Sequence, residues 1–356
     1  MTGMDNNQAA SGPRTDYQLR AEIPTIAERL TELGYHTYMA GKWDNGSDSG
    51  EWPSQRGFER SMVLLPGAGT HFLPINAVDG EPTSGYLENG QPVELPEDFY
   101  STQHYTDKMI EYIDSNLRDG KPFFAYLAHT APHYPLQAPA EYIERFSGLY
   151  EDGYQATRKA RIENLLELGY LDAGSKPWLA EDLPEWVEMS SDDRAVEARR
   201  MQIYAAMVSF LDEEIGRLLE YLDTQGLAEN TLVIFASDNG ADGTARGAGM
   251  NDSYDNSIDN LGTASSYITQ GINWAKVSSA PYRLVKSFPT EGGTRSPMIV
   301  RWPGRVAANS KSDEWFAVRD LAPTFLEIAG VDSDIWQGIE LPEQSREVIL
   351  GRSVLR

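Results

Sequence analysis

Residues 23–43 read IPTIAERLTELGYHTYMAGKW, and this stretch holds the pattern that decides the fold. Pro24 suits the first turn of a helix, Ile26, Leu30 and Leu33 share one face, and Gly34 is a natural stop. Tyr35 to Ala40 then reads as a short buried strand, after which the Gly- and Asp-rich GKWDNGSDSG leaves regular structure. The unit is helix, strand, polar loop, and it recurs with different sequence. Ile110, Ile113 and Leu117 mark a helical face, Phe123 to Ala128 is a continuous apolar strand, and HTAPHYPLQAP follows as a Pro-broken loop. Val208, Leu211, Ile215, Leu218 and Leu222 step by three and four along a long amphipathic helix. Leu232 to Ala236 is the next strand, closed by the polar turn SDNGADG. A fourth strand, Met298 to Trp302, follows the loop containing KSFPTEGGTRSP.

Helices alternating with short apolar strands predict an α/β fold with a largely parallel sheet covered by helices on both faces. In such sheets, sites lie beyond the carboxyl ends of the strands. Three strands therefore bring Lys42, His133 and the pair Asp238 and Asn239 to one edge. The first 21 residues read as an irregular lead-in. Residues 150–193 read as loops and short helices outside the sheet, and 251–279 as a long polar excursion of the kind that forms lids. No internal repeat is evident.

Composition removes several classes of function. The chain has 356 residues and no cysteine, which excludes disulfides, thiolate catalysis, zinc ribbons and iron–sulfur ligation for these residues. A formal charge of −24 opposes nonspecific binding to nucleic acid or anionic lipid. Any anionic substrate must then be met by local cations. No apolar run approaches the ~18 residues that a membrane span requires. There is no G-x-S-x-G elbow, Walker A loop, H-E-x-x-H or dinucleotide-binding glycine fingerprint.

Asp238 and Asn239 offer the hard oxygen donors that Ca²⁺ or Mg²⁺ prefers, although the same residues also serve as ordinary turn formers. An EF-hand counted from Asp238 places Gly249 where a bidentate Glu belongs. His133, between Pro132 and Pro135, sits in a stiff loop that could fix an imidazole as a general acid, or simply cap the surface. His129 lies four residues earlier, but Pro132 argues against a helical zinc pair. Lys42, directly after Gly41, and Lys286, before EGGTR, could each neutralise the oxygens of a tetrahedral anion. Exposed lysines also serve solubility alone.

Taken together, PTIAERLTELGYHTYMAGKW, PFFAYLAHTAPHYPLQAP, RRMQIYAAMVSFLDEEIGRLLEYLDTQG, NTLVIFASDNGA and WAKVSSAPYRLVKSFPTEGGTRSPMIVRWPG closely resemble the sulfatase family, in its arylsulfatase branch of the alkaline-phosphatase-like superfamily. They run in family order from about Glu22 to Val331. The resemblance implies a sulfatase-like domain over 22–331, with 332–356 as a shortened C-terminal tail. It implies hydrolysis of sulfate monoesters, of a small molecule or a carbohydrate, to an alcohol or phenol plus sulfate. By motif, Lys42 and Lys286 would embrace the sulfate and His133 would bind it and protonate the departing oxygen. Asp238 and Asn239 would ligate one divalent cation, calcium in preference to magnesium. The nucleophile implied is a formylglycine made from the Cys or Ser of C/S-x-P-x-R.

The sequence departs from that pattern in three places. It holds no Cys and no Ser-x-Pro-x-Arg, since Ser11-Gly12-Pro13-Arg14 has its Arg one residue early. Asp44 stands where relatives carry histidine after GKW. The family's first strand, with its Asp-Asp metal pair, and its small C-terminal sheet have no counterpart here. A gene model or fragment shortened at both ends accounts for this, and a degenerate relative, supported by Asp44, is the rival. Either reading predicts a chain that does not turn over alone. A phosphonate or phosphodiester hydrolase of the same superfamily, or a noncatalytic anion- or calcium-binding relative, are the alternatives. Bacterial relatives are often exported, which points to the periplasm or exterior by family only.

Overall fold

The computed structural model describes residues 2, 10–11, 18–46, 50–74, 85–244, 254–312 and 314–331. All of the expected tail, 332–356, and residues 12–14 of the Ser11–Arg14 motif lie outside them. Strands β1 (Ala10–Ser11) and β2 (Gln18–Leu19) form a two-residue antiparallel ladder. Helix α1 (Ile26–Glu32) opens on a capping box in which Thr25 and Glu28 satisfy each other's backbone amides. Strand β3 (His36–Lys42) follows, then β4 (Arg60–Leu64), β5 (Tyr86–Glu88) and β6 (Gln91–Pro92). Helix α2 (Ser101–Ser115) leads into β7 (Phe123–Ala128). Then come α3 (Ala140–Glu144), α4 (Gly153–Glu167) and α5 (Ser191–Thr224). Strand β8 (Val233–Ala236), helices α6 (Gly271–Ser278) and α7 (Glu291–Thr294), strand β9 (Met298–Arg301) and helix α8 (Leu321–Ile328) complete the order.

The α/β class holds, with helices on both faces of a five-stranded sheet in the order β6-β5-β4-β3-β7. Tyr105, Met109, Tyr112 and Ile113 of α2 pack on one face against Tyr38, Ala40, Met62 and Leu64. Ala27 of α1 packs on the other with Met39, Val63 and Leu87, while Ile26 and Leu30 reach Ala322 and Leu326 of α8. Helix α5 lies against α2 and α3, burying Ile203, Ala206, Met207 and Phe210.

Five expectations need correction. The sheet is mixed, because only β4, β3 and β7 run parallel, whereas β5 and β6 form an antiparallel hairpin on β4. The cause is Asn89-Gly90, both at positive φ (50° and 77°), a two-residue turn that matches the twist of paired strands. Residues 150–193 contain the 15-residue α4 rather than short helices alone, and 251–279 ends in α6. Val208 is 41% exposed, since the buried face of α5 runs through Ala206, Met207, Phe210 and Leu211. Finally, the later strands are not enclosed: Tyr126, Phe235 and Ile299 are exposed. Among the described residues β7 pairs only with β3, and β8 pairs only with β9, antiparallel and apart from the main sheet.

Candidate anion site

Strand β3 sets the first element of the site. Gly41, at φ 122°, would place a Cβ 1.9 Å from the Ala128 carbonyl oxygen of β7, so only glycine lets the two parallel strands close there. The ladder runs on past the strand, with Trp43 N–H donating to Leu64 O at 2.9 Å and Asp44 N–H to Leu65 O at 3.0 Å. Trp43 is buried against Phe58 and anchors the turn. Lys42 and Asp44 therefore flank a fixed point. Among the described residues neither side chain has a hydrogen-bond or ion-pair partner; Lys42 is partly buried and Asp44 is exposed.

The second element is the loop after β7. His133 N–H donates to Thr130 O at 2.8 Å, and its Nδ1 lies 3.0 Å from the Tyr134 carbonyl. A carbonyl only accepts, so Nδ1 carries the hydrogen and the neutral ring presents a lone pair at Nε2. Behind the loop stands His71, fully buried, a residue that sequence reading missed. Its Nε2–H donates to His133 O at 3.2 Å, its Nδ1 accepts from Ser101 Oγ at 2.7 Å, and its N–H donates to Gln137 Oε1 at 2.8 Å. Burial pushes the His71 pKa down to about 4, so the ring is a neutral spacer. The 62-residue separation from His133 leaves no local sequence signal. His129 turns away to Tyr105, ring centroids 6.1 Å apart, and burial pushes its pKa down to about 3.

The third and fourth elements interlock. Gly240, after Asp238 and Asn239, would place a Cβ 1.8 Å from Gly292 O, so the turn after β8 sits directly on helix α7 ahead of β9. Gly240 N–H donates to Gly293 O at 3.2 Å and Lys286 N–H to Ala241 O at 2.9 Å. The Lys286 ammonium then lies 3.4 Å from His133 Nε2. Both also face Asp242, a second residue missed from sequence, at 3.2 Å from Lys286 Nζ and 3.6 Å from His133 Nε2.

Some of these groups also lie near enough to act on one another electrostatically. Burial lowers the His133 pKa, Lys286 and Lys42 lower it further, and the Tyr134 carbonyl and Asp242 oppose them. Desolvation pushes the Asp44 carboxyl up, Asp238 adds to the rise, and Lys42 and Lys286 counter it. Lys286, His133 and Asp242 are thus in direct contact, while Lys42 is near enough to act electrostatically on His133, and Lys42, Lys286 and Asp238 on Asp44.

Asp238 has no hydrogen-bond or ion-pair partner among the described residues, and Asn239 commits its Nδ2 to Gly240 O at 3.0 Å, leaving Oδ1 available. Two hard oxygens suit a divalent cation as part of its shell of about six to eight. The described residues contain no cluster of three or more His, Cys, Asp or Glu able to complete it. The formylglycine implied by resemblance does not fit the residues present, because neither a Cys nor a Ser in the required motif exists in the chain.

The Sulfatase family model matches residues 1–331. An uncharacterized sulfatase of Schizosaccharomyces pombe is 39% identical over 335 residues, covering 90% of this chain and 60% of that protein. An arylsulfatase of Klebsiella aerogenes is 38% identical over 354 residues, 93% of this chain and 75% of that one. The crystal structure of Ps i-CgsB in complex with a neocarrahexaose has a TM-score of 0.65 at 22% identity, covering 99% of this chain and 62% of that one, a likeness of fold. The chain thus spans less than two thirds of the length of the first of these relatives and of that structure. With the family pattern running through to residue 331 and the fold shared with solved sulfatases, the chain belongs to the Sulfatase family.

Proposed function

We propose that this chain forms the sulfate-binding part of a sulfuric ester hydrolase of arylsulfatase type. One observation carries the reading: the Lys286 ammonium stands 3.4 Å from His133 Nε2, with the charge of Lys42 acting on the same ring. Two ammonium groups and an imidazole around one space match an oxyanion with several acceptor atoms. Lys42 and Lys286 hold sulfate oxygens, and His133, once protonated at Nε2, delivers that proton to the departing ester oxygen. Since its Nδ1–H is tied to Tyr134 O, Nε2 is the only ring atom free to do so.

The family's general requirement is a divalent metal and a formylglycine, and we assign the metal as calcium, held by Asp238 and Asn239. Two ammoniums against the carboxylates of Asp44, Asp238 and Asp242 leave a formal charge of −1, so a bound divalent cation supplies the net positive field that an incoming sulfate needs. No nucleophile is assigned to these residues and no attack step is derived. The substrate class is a sulfate ester of a small molecule or carbohydrate; a complex with D-glucosamine-2-N,6-O-disulfate is known for a structure sharing the fold.

Calorimetry of residues 1–356 with sulfate, with and without Ca²⁺, tests this. Sulfate should bind measurably more tightly with Ca²⁺, Lys286→Met should weaken binding about tenfold, and no aryl sulfate should turn over. Sulfate binding that ignores both Ca²⁺ and Lys286 would end the reading.

A further inference from the structure

Asp242 belongs to none of the motif positions above, yet it closes a triangle. Its Oδ2 lies 3.2 Å from Lys286 Nζ and 3.6 Å from His133 Nε2, and those two atoms are 3.4 Å apart. Its Oδ1 accepts the Thr244 N–H at 2.8 Å, which fixes the carboxylate plane. The side chain is only 17% exposed. The carboxylate thus presents one anionic oxygen to the groups that would receive an oxygen of sulfate.

We propose that Asp242 is a positioning residue of the anion site: its carboxylate is an internal counter-anion that holds Lys286 beside His133 and gives way to the substrate oxyanion. The proposal rests on the sulfate-site reading but has its own observable. With the ring neutral, Lys286 donates both to His133 Nε2 and to Asp242, so the ammonium is aimed before any ligand arrives. With the ring protonated, Nε2–H turns to Asp242, which favours the imidazolium that must act as the acid. The groups facing His133 are Lys286, Lys42 and Asp242, with the neutral His71 behind. Among the described residues Asp242 is the one carboxylate facing the ring. Burial would raise its own pKa, but the Thr244 amide and Lys286 hold it below the usual carboxylate range, so it stays charged through neutral pH.

The same charge competes with the ligand. An anion reaching Lys286 and His133 must displace Asp242 from the ammonium or tolerate it nearby, so affinity is traded for alignment.

The test is Asp242→Asn in the full chain, which removes the charge but keeps an oxygen for the Thr244 amide. His133 is followed by the NMR shift of its ring carbon-bound protons against pH, without ligand, and sulfate affinity is measured by calorimetry at a pH where the ring is neutral. The His133 midpoint should fall in the variant, and sulfate should bind about three- to tenfold more tightly with the competing charge removed. A loop-capping role alone would leave the His133 midpoint unmoved, and that result overturns the proposal. If the midpoint falls while neither protein binds sulfate, the positioning role stands and the sulfate-site reading fails. Should the variant not fold, the wild-type His133 signals decide: they should show a second inflection below the ordinary carboxylate range as Asp242 protonates, and its absence overturns the proposal.

Discussion

The two ends of β3 (His36–Lys42) carry the same ingredients, cations and carboxylates, and dispose of them in opposite ways. At the amino end, His36 is bracketed by Glu59 at 2.6 Å from Nδ1 and Asp119 at 2.6 Å from Nε2. Both ring nitrogens are committed, and the starts of β3, β4 and β7 are knitted together. At the carboxyl end, Lys42, Asp44 and Asp238 stand close enough to perturb one another yet form no direct pair among the described residues. Saturation makes the first cluster structural; the second stays unpaired among the described residues, the arrangement the proposed anion site requires. The contrast is one of commitment: both ring nitrogens of His36 are bound, whereas the carboxylates of Asp44 and Asp238 face solvent, where water or a ligand can reach them.

The most damaging way to break the open end is Gly41→Ala. The new Cβ would overlap Ala128 O at 1.9 Å, on backbone that cannot rotate away, at a φ of 122° that alanine avoids. We expect a loss of about 3 kcal/mol or more in denaturant unfolding, the scale of backbone strain combined with core disruption. Retention of wild-type stability would mean that β3 and β7 part easily at that edge. A milder change sharpens the comparison. Asp44→Asn removes one negative charge beside Lys42 and Lys286 without adding bulk, and calorimetry should find sulfate bound about threefold more tightly. Weaker binding would show that Asp44 orients the lysines rather than diluting their charge.

How far the sequence revealed this layout follows from the range of the interactions. Strand β7 was legible to the residue, because six apolar residues between breakers allow little else. Strand β3 reads one residue early at its start and two short at its end, since Gly41 looks like a stop when its actual role is to admit the Ala128 carbonyl. The Asn89-Gly90 hairpin carried its usual turn signal, but its flanking strands are only three and two residues long and show no periodicity. Val208 was placed on the wrong face because, over 34 residues, several stripes at steps of three and four can be drawn, and packing against α2 and α3 selects one. At the site, the motif residues were legible by resemblance. Asp242 and His71 were not, since their roles exist only through contacts across the fold: His71 with His133 over 62 residues, and Asp242 with Lys286 over 44.

The smallest effect belongs to the closed end and carries a sign that distinguishes it. Burial alone would lower the His36 pKa, but the hydrogen bonds and charges of Asp119 and Glu59 outweigh it, and the pKa rises above 6.5. A group bound more strongly in its protonated form stabilises the native state fully below its unfolded pKa and loses that contribution as pH rises through the folded one. Asp119, held below its usual range first by the Lys121 amide and then by His36, adds stability that disappears only as the medium becomes strongly acidic. The cluster is therefore most stabilising between the acid titration of Asp119 and a pH of about 6.5, and fades on the alkaline side. Both carboxylates are well exposed, so the gain is modest and salt should weaken it. Thermal midpoints of wild type and His36→Gln, measured from pH 5 to 9, should converge as pH rises. If the two curves stay parallel, the imidazole holds the strand ends by neutral hydrogen bonds, and the electrostatic contrast between the ends of β3 fails at its closed side.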